Sequence, residues 1–173
     1  TDAIIASESI VDVSKLSMNE DQVVAVFQKV LTDYPQFFYL SRSCMLAYRS
    51  SGKEVRALIL LYTDGTTTDE FDRRMRMKKS ADRDIINQKI AALNSKVQSV
   101  VNTIFADYSD VIKEKMIYEH VVQTITYDHN AAANIDNYNL TVPHAFDIYG
   151  AAVEGKAVCE GYAKLFQYLC YAV

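Results

Sequence analysis

The residues best able to do covalent chemistry lie in the stretch Gly155-Lys156-Ala157-Val158-Cys159-Glu160-Gly161-Tyr162-Ala163. From Ala163 the chain continues Lys164-Leu165-Phe166-Gln167-Tyr168-Leu169, which combines good helix formers with an apolar stripe at Val158, Tyr162, Phe166 and Leu169. A helix is therefore expected. The preceding glycine suits a turn, which places Cys159 in the first helical turn. There, unpaired backbone N–H groups and the positive end of the helix dipole favour a thiolate over a thiol. A thiolate in that setting is what a cysteine nucleophile requires. Gly161 carries no side chain, so another strand or a substrate backbone could come close to the sulfur. The competing reading is a small buried core cysteine.

The longer stretch Tyr149-Gly150-Ala151-Ala152-Val153-Glu154-Gly155-Lys156-Ala157-Val158-Cys159-Glu160-Gly161-Tyr162-Ala163 closely resembles the nucleophile segment of transglutaminase-like domains, bacterial ones in particular. Those carry a Tyr-Gly pair, a short loop and then Val-Cys-x-Gly-Tyr-Ala. Upstream, Tyr118-Glu119-His120 through Ile125-Thr126-Tyr127-Asp128 is similar to the helix and Tyr-Asp step before that segment. The resemblance spans about a third of the chain, from Val111 to Val173. It implies a papain-like α+β core in which Cys159 is paired with a histidine and an aspartate. It further implies acyl transfer through a Cys159 thioester, with a peptide bond or a glutamine amide as donor. Water as acceptor would make the protein a cysteine protease or amidase, and an amine would make it a cross-linker. A non-catalytic protein-interaction module that keeps the fold without the triad is the alternative.

In that family the histidine and aspartate come after the cysteine helix, whereas His120, His129 and His144 all precede Cys159. His144, in Pro143-His144-Ala145-Phe146-Asp147, occupies a segment where family members often carry a histidine that is not the base. A thiol without its base is weakly activated, and an imidazole would also protonate the leaving amine. The expectation is therefore the front part of a longer protein, inactive by itself. Such a piece would pair with a second copy or keep its missing C-terminal half bound, because Tyr162, Phe166 and Leu169 would otherwise face water.

Half of the 173 residues are hydrophobic and 23% are charged, ordinary globular usage. The formal net charge of −4 and a pI near 5.3 argue against nucleic acid or an anionic membrane as partner. A protein or peptide substrate fits better. The basic run Arg73-Arg74-Met75-Arg76-Met77-Lys78-Lys79 is flanked by Asp69, Glu70, Asp72, Asp82 and Asp84, the pattern of a solvated helix face. No apolar run is long enough to span a bilayer. The chain opens on Thr1, so a leader could have been removed, which would place the protein outside the cell or on its surface. Cys159 and Cys170 stand about 16 Å apart along one helix, far beyond disulfide reach, and with Cys44 they are expected to be free thiols. The cysteines form no C-x-x-C pair and the histidines have no i,i+3 or i,i+4 histidine partner, so neither a metal site nor a cofactor is expected.

The fold class expected is α+β, an N-terminal helix–hairpin–long-helix module over 1–106 followed by the helical front half of a transglutaminase-like domain over 107–173. Ser17-Met18-Asn19-Glu20 reads as a capping box opening a helix with Val23, Val26, Phe27, Val30 and Leu31 on its apolar face, ended by Tyr34-Pro35. Phe37 to Tyr48 and Val55 to Tyr62, separated by Ser50-Ser51-Gly52-Lys53, read as a β-hairpin. Tyr34-Pro35-Gln36-Phe37-Phe38-Tyr39 weakly resembles a Pro-x-x-Phe-aromatic step upstream of some bacterial transglutaminase-like domains. Thr67-Thr68-Asp69-Glu70 is a second capping box, opening a long helix to about Ala106 that could break near Ser80. Its apolar face would carry Phe71, Met75, Ile86, Ile90, Leu93, Val97, Val101 and Ile104. Another helix is expected from Asp110 to about Gln123, with Ile112, Ile117, Val121 and Val122 inward. Residues 128–148 read as a long loop with one short helical turn, lining the substrate cleft.

Overall fold

A computed structural model describes residues 2, 10–50, 52, 54–62, 80–134 and 144–173. The second capping box at 67–70, the basic run at 73–79 and Pro143 lie outside these residues. The class is α+β.

The first strand, β1 (Ile10–Asp12), is followed by helix α1 (Glu20–Asp33). The capping box is present but shifted by two residues from the expected one. Asn19 Oδ1 accepts from the Gln22 N–H at 3.0 Å, and Gln22 Oε1 accepts from the Asn19 N–H at 3.0 Å. Ser17 has a left-handed backbone (φ 48°), so it cannot lead into the helix, and Asn19 takes over as cap. Val23 and Phe27 are buried as expected, while Val26 faces solvent. The helix stops at Tyr34-Pro35, where proline disfavours a helical preceding residue.

The aromatic run after that proline is not a strand. Phe37 N–H donates to Tyr34 O and Leu40 N–H to Phe37 O, both at 3.0 Å. These turns drive Phe37, Phe38, Tyr39 and Leu40 together into the core, where a pleated strand would have sent alternate ones outward. The hairpin itself forms later, from β2 (Met45–Tyr48) and β3 (Val55–Ile59). A single bridge, Leu40 to Tyr62, extends it. β3 is central in the antiparallel order β1-β3-β2, with Ile59 opposite both Ile10 and Met45.

Helix α2 (Ser80–Val101) buries Leu93 and Val97, with Ile86, Ile90 and Val101 packed against the core. It ends five residues before the expected Ala106. Thr103 N–H and Oγ1 both turn back to Val100 O, at 2.9 and 2.7 Å, which closes the last turn. The part of the expected helix before Ser80, with Phe71 and Met75, lies outside the described residues. Helix α3 (Asp110–Thr124) buries Ile117 and Val121, whereas Ile112 and Val122 are exposed. A two-residue strand, β4 (Thr126–Tyr127), leads to the short helix α4 (His129–Ala133), the helical turn expected within 128–148. After the turn at 144–149 come a single π-helical turn (Gly150–Glu154), strand β5 (Lys156–Ala157) and helix α5 (Cys159–Ala172). β5 pairs in parallel with β4, Tyr127 opposite Ala157.

The buried residues form a cluster that crosses the boundary expected at residue 106. Phe27, Phe38, Leu60, Leu93, Ile117, Leu165 and Leu169 all belong to it. Leu169, expected to face water unless a second copy or a further segment covered it, is fully buried within the chain, and Tyr162 and Phe166 are half-buried. No helix among the described residues is long and apolar enough to cross a membrane. Because Leu169 sits in this shared core, Leu169→Ala is expected to cost about 2–5 kcal/mol. Urea unfolding followed by circular dichroism checks this. A loss below about 1 kcal/mol would mean that the helix end is not part of the core.

Candidate active site

Cys159 is the first residue of α5 and is exposed, while Cys44 and Cys170 are partly buried. The residue before it, Val158, has an extended backbone and no capping side chain. Val158 O accepts from the Gly161 and Tyr162 N–H groups at 2.9 and 3.3 Å. The N–H groups of Cys159 and Glu160 stand ahead of the helical ladder with no acceptor inside it. The competing reading of Cys159 as a buried core residue does not hold. Burial does raise the thiol pKa of Cys44, with Glu20 adding to it, and that of Cys170, with Glu114 adding.

The first turn of α5 sits directly on Ala157 and on the backbone of the 144–149 turn. A Cβ at Gly161 would lie 2.6 Å from Ala157 Cβ and 3.0 Å from Asp147 O. The space beside Gly161 is therefore filled by the chain itself, not left open for a substrate strand. At Gly150 a Cβ would lie 2.0 Å from His144 O, so the turn at 144–149 closes tightly on the π-helical turn. Val158 N–H donates to Ala145 O at 2.8 Å, and Lys164 Nζ to Phe146 O at 3.2 Å. Within the segment read as a cleft-lining loop, His144, Ala145, Phe146 and Ile148 are buried.

His144 is only 8% exposed and has a left-handed backbone (φ 69°). Its Nδ1 is 2.7 Å from Asp147 Oδ2 and its Nε2 is 2.8 Å from Lys89 Nζ. An ammonium group only donates, so Nε2 accepts and Nδ1 carries the hydrogen given to Asp147. The ring also packs against Phe38 and Tyr149, with centroids at 5.8 and 4.7 Å. Asp147 Oδ1 accepts from the Tyr149 and Gly150 N–H groups at 2.8 and 3.1 Å. Glu154 lies near this cluster; burial raises its carboxyl pKa, Asp147 adds to the rise, and His144 and Lys89 oppose it.

The other two histidines are elsewhere. His120 is half-buried, burial lowers its pKa, and it lines a groove of about 260 Å³ with Lys96, Thr124, Leu165 and Leu169. His129 is exposed, its ring 5.0 Å from that of Tyr127. Among the described residues no histidine is hydrogen-bonded to the Cys159 sulfur. Nor does any cluster of three His, Cys, Asp or Glu there have the arrangement to hold a metal ion.

Two charged groups carry roles that the sequence reading did not assign. Asp128 is buried; its carboxylate caps α4 by accepting from the Ala131 N–H at 3.0 Å and pairs with Lys156 at 3.2 Å. The hydrogen bond from Ala131, with help from Lys156, holds its pKa below the usual range. Its N–H donates to Ala157 O at 2.9 Å, locking β4 to β5. Next to the thiol, Glu160 takes an ion pair from Arg42 and another from Lys164 at 2.8 Å. Asp128 could have been found as an N-cap pattern; the Arg42 partner, 118 residues away, left no local signal.

Compared with known proteins, the chain matches no protein-family model and no curated sequence.

Burial alone would raise the Glu160 carboxyl, but the hydrogen bonds from Arg42 and Lys164 outweigh it and lower its pKa. A depressed carboxylate stabilises the fold above its unfolded pKa and loses that contribution as pH falls through the folded value. The melting-temperature difference between wild type and Glu160→Gln is thus expected to be largest near neutrality. It should shrink as pH drops through and below about 4.3. A difference that stays constant with pH in thermal melts would show that the ion pairs do not stabilise the fold.

Proposed function

We propose that the protein is a transglutaminase-like acyl-transfer protein in which Cys159 is the nucleophile position. The observation that carries this reading is the exposure of Cys159 as the first residue of α5. The Val-Cys-x-Gly-Tyr-Ala pattern supports it. In this chemistry the thiolate sulfur attacks the carbonyl carbon of a peptide bond or glutamine amide. The carbonyl oxygen gains negative charge, and the N–H groups at the helix start are suited to donate hydrogen bonds to it. The C–N bond then breaks, the nitrogen leaves with a proton as an amine or ammonia, and a thioester remains on Cys159. Attack by water or by a second amine on the thioester carbon releases the acyl group and restores the thiol.

The leaving nitrogen must be protonated, and this step limits what the chain can do in its observed arrangement. His144 has both ring nitrogens engaged, and neither His120 nor His129 is bonded to the sulfur. Amide turnover is therefore expected to be negligible with these three histidines as they stand. An activated ester avoids the difficulty, because its phenolate leaves without help. The same lack of an imidazole at the sulfur favours a second reading, a non-catalytic interaction module of the same fold.

Incubation with p-nitrophenyl acetate, followed by intact-mass and peptide mapping, separates the two. The acyl-transfer reading expects one acetyl group placed first on Cys159, and none at that position in Cys159→Ala. Acetylation of Cys159 no faster than of Cys170 would leave the interaction module as the better account.

A further inference from the structure

The turn at 144–149 supports the nucleophile helix on one side, and on its other side it is held by a side chain from α2. Lys89 Nζ lies 2.8 Å from His144 Nε2 and 5.3 Å from the centre of the Tyr149 ring. From His144 the connection passes through Nδ1 to Asp147 Oδ2, and from Asp147 Oδ1 to the N–H groups that open the π-helical turn. The same turn gives Ala145 O to the N–H of Val158, the residue before Cys159, and Asp147 O to the close approach at Gly161. Lys89 and Cys159 are thus joined by short polar contacts and backbone seating. A buried imidazole with both nitrogens bonded rigidifies a segment, because release of either partner leaves an unsatisfied polar group.

We infer that Lys89 is a positioning residue for Cys159, holding the start of α5 in register through His144 and Asp147. The inference rests on the reading of Cys159 as the reactive thiol. It assigns to α2 a hold over the site that the nucleophile segment itself does not contain. Lys89 supplies a donor to Nε2, which fixes the Nδ1–H tautomer and so the bond to Asp147. Without that donor the turn loosens, the first turn of α5 frays, and the N–H groups that open the helix lose their alignment. Among the described residues, the charged groups around the ring are Lys89, Asp147 and Glu154, with the Tyr149 ring beside it.

The test compares wild type, Lys89→Met, Lys89→Arg and the exposed-site control Lys96→Met, each checked for folding by circular dichroism. Iodoacetamide labelling is read by mass spectrometry as the ratio of Cys159 to Cys170, two thiols on the same helix. The ratio is expected to fall about two- to fivefold in Lys89→Met, the range a helix-terminus charge interaction spans. It should recover in Lys89→Arg and stay unchanged in Lys96→Met. General destabilisation would instead speed labelling of Cys44 and Cys170. In parallel, the histidine ring ¹⁵N signals of wild type should show His144 with Nε2 unprotonated, and this signal should move in Lys89→Met. An unchanged ratio in folded Lys89→Met, or a proton on Nε2 in wild type, overturns the inference. If Lys89→Met does not fold, the wild-type ring-nitrogen assignment and Lys89→Arg decide it. A wild-type Cys159 that labels no faster than Cys170 would instead count against the reading of Cys159 as the reactive thiol.

Discussion

The arrangement around Cys159 depends on one constraint, the direct seating of the first turn of α5 on the Ala157 methyl and on the backbone of the 144–149 turn. Gly161 meets Ala157 and the Asp147 carbonyl at distances that leave no room for a side chain, and Gly150 meets the His144 carbonyl more closely still. Two glycines therefore let three segments, 144–150, 156–158 and 159–162, share a space that any other residue would force apart. Val158 is drawn in by its hydrogen bond to Ala145. Cys159, one residue on, is left at the rim.

Around this seat the buried and half-buried polar groups are satisfied in a way that ties distant elements together. Asp128 closes β4 onto β5 and caps α4. Asp147 and His144 brace the turn, with Lys89 reaching in from α2. Glu160 brings in Arg42 from the N-terminal part. Each of these groups would carry a desolvation cost if left alone, and Asp128, His144 and Glu160 each have a partner from a different stretch of sequence. The apolar core is likewise common to both parts of the chain, since Phe38 stacks on Tyr149 with centroids 5.1 Å apart.

The sequence shows the local elements well and the long-range pairings poorly. The start of α5 at Cys159, the hairpin strands 45–48 and 55–59 and the helix from Asp110 are legible because helix capping, period and turn chemistry act over a few residues. β1 is only three residues long and offers no alternation to read. The residues at 37–40 have strand composition but form turns that bury all four together, a case of tertiary packing overriding propensity. The β4–β5 pairing joins residues thirty apart, and the Lys89–His144 contact spans 55. At the site, the position of Cys159 could be read from its own segment. The brace behind it could not, because the Pro143-to-Asp147 stretch shows a histidine and an aspartate three apart but nothing that points to Lys89.

If the backbone seat presents Cys159 as the reactive thiol, disturbing the seat must disturb the thiol. Gly161→Ala addresses this most directly, because it adds one methyl group at the contact and removes no charge or hydrogen bond. The substitution is expected to displace the start of α5 and to slow acetylation of Cys159 by p-nitrophenyl acetate while circular dichroism remains that of the folded protein. A folded Gly161→Ala that acetylates at Cys159 as fast as wild type would contradict the role given to the seat.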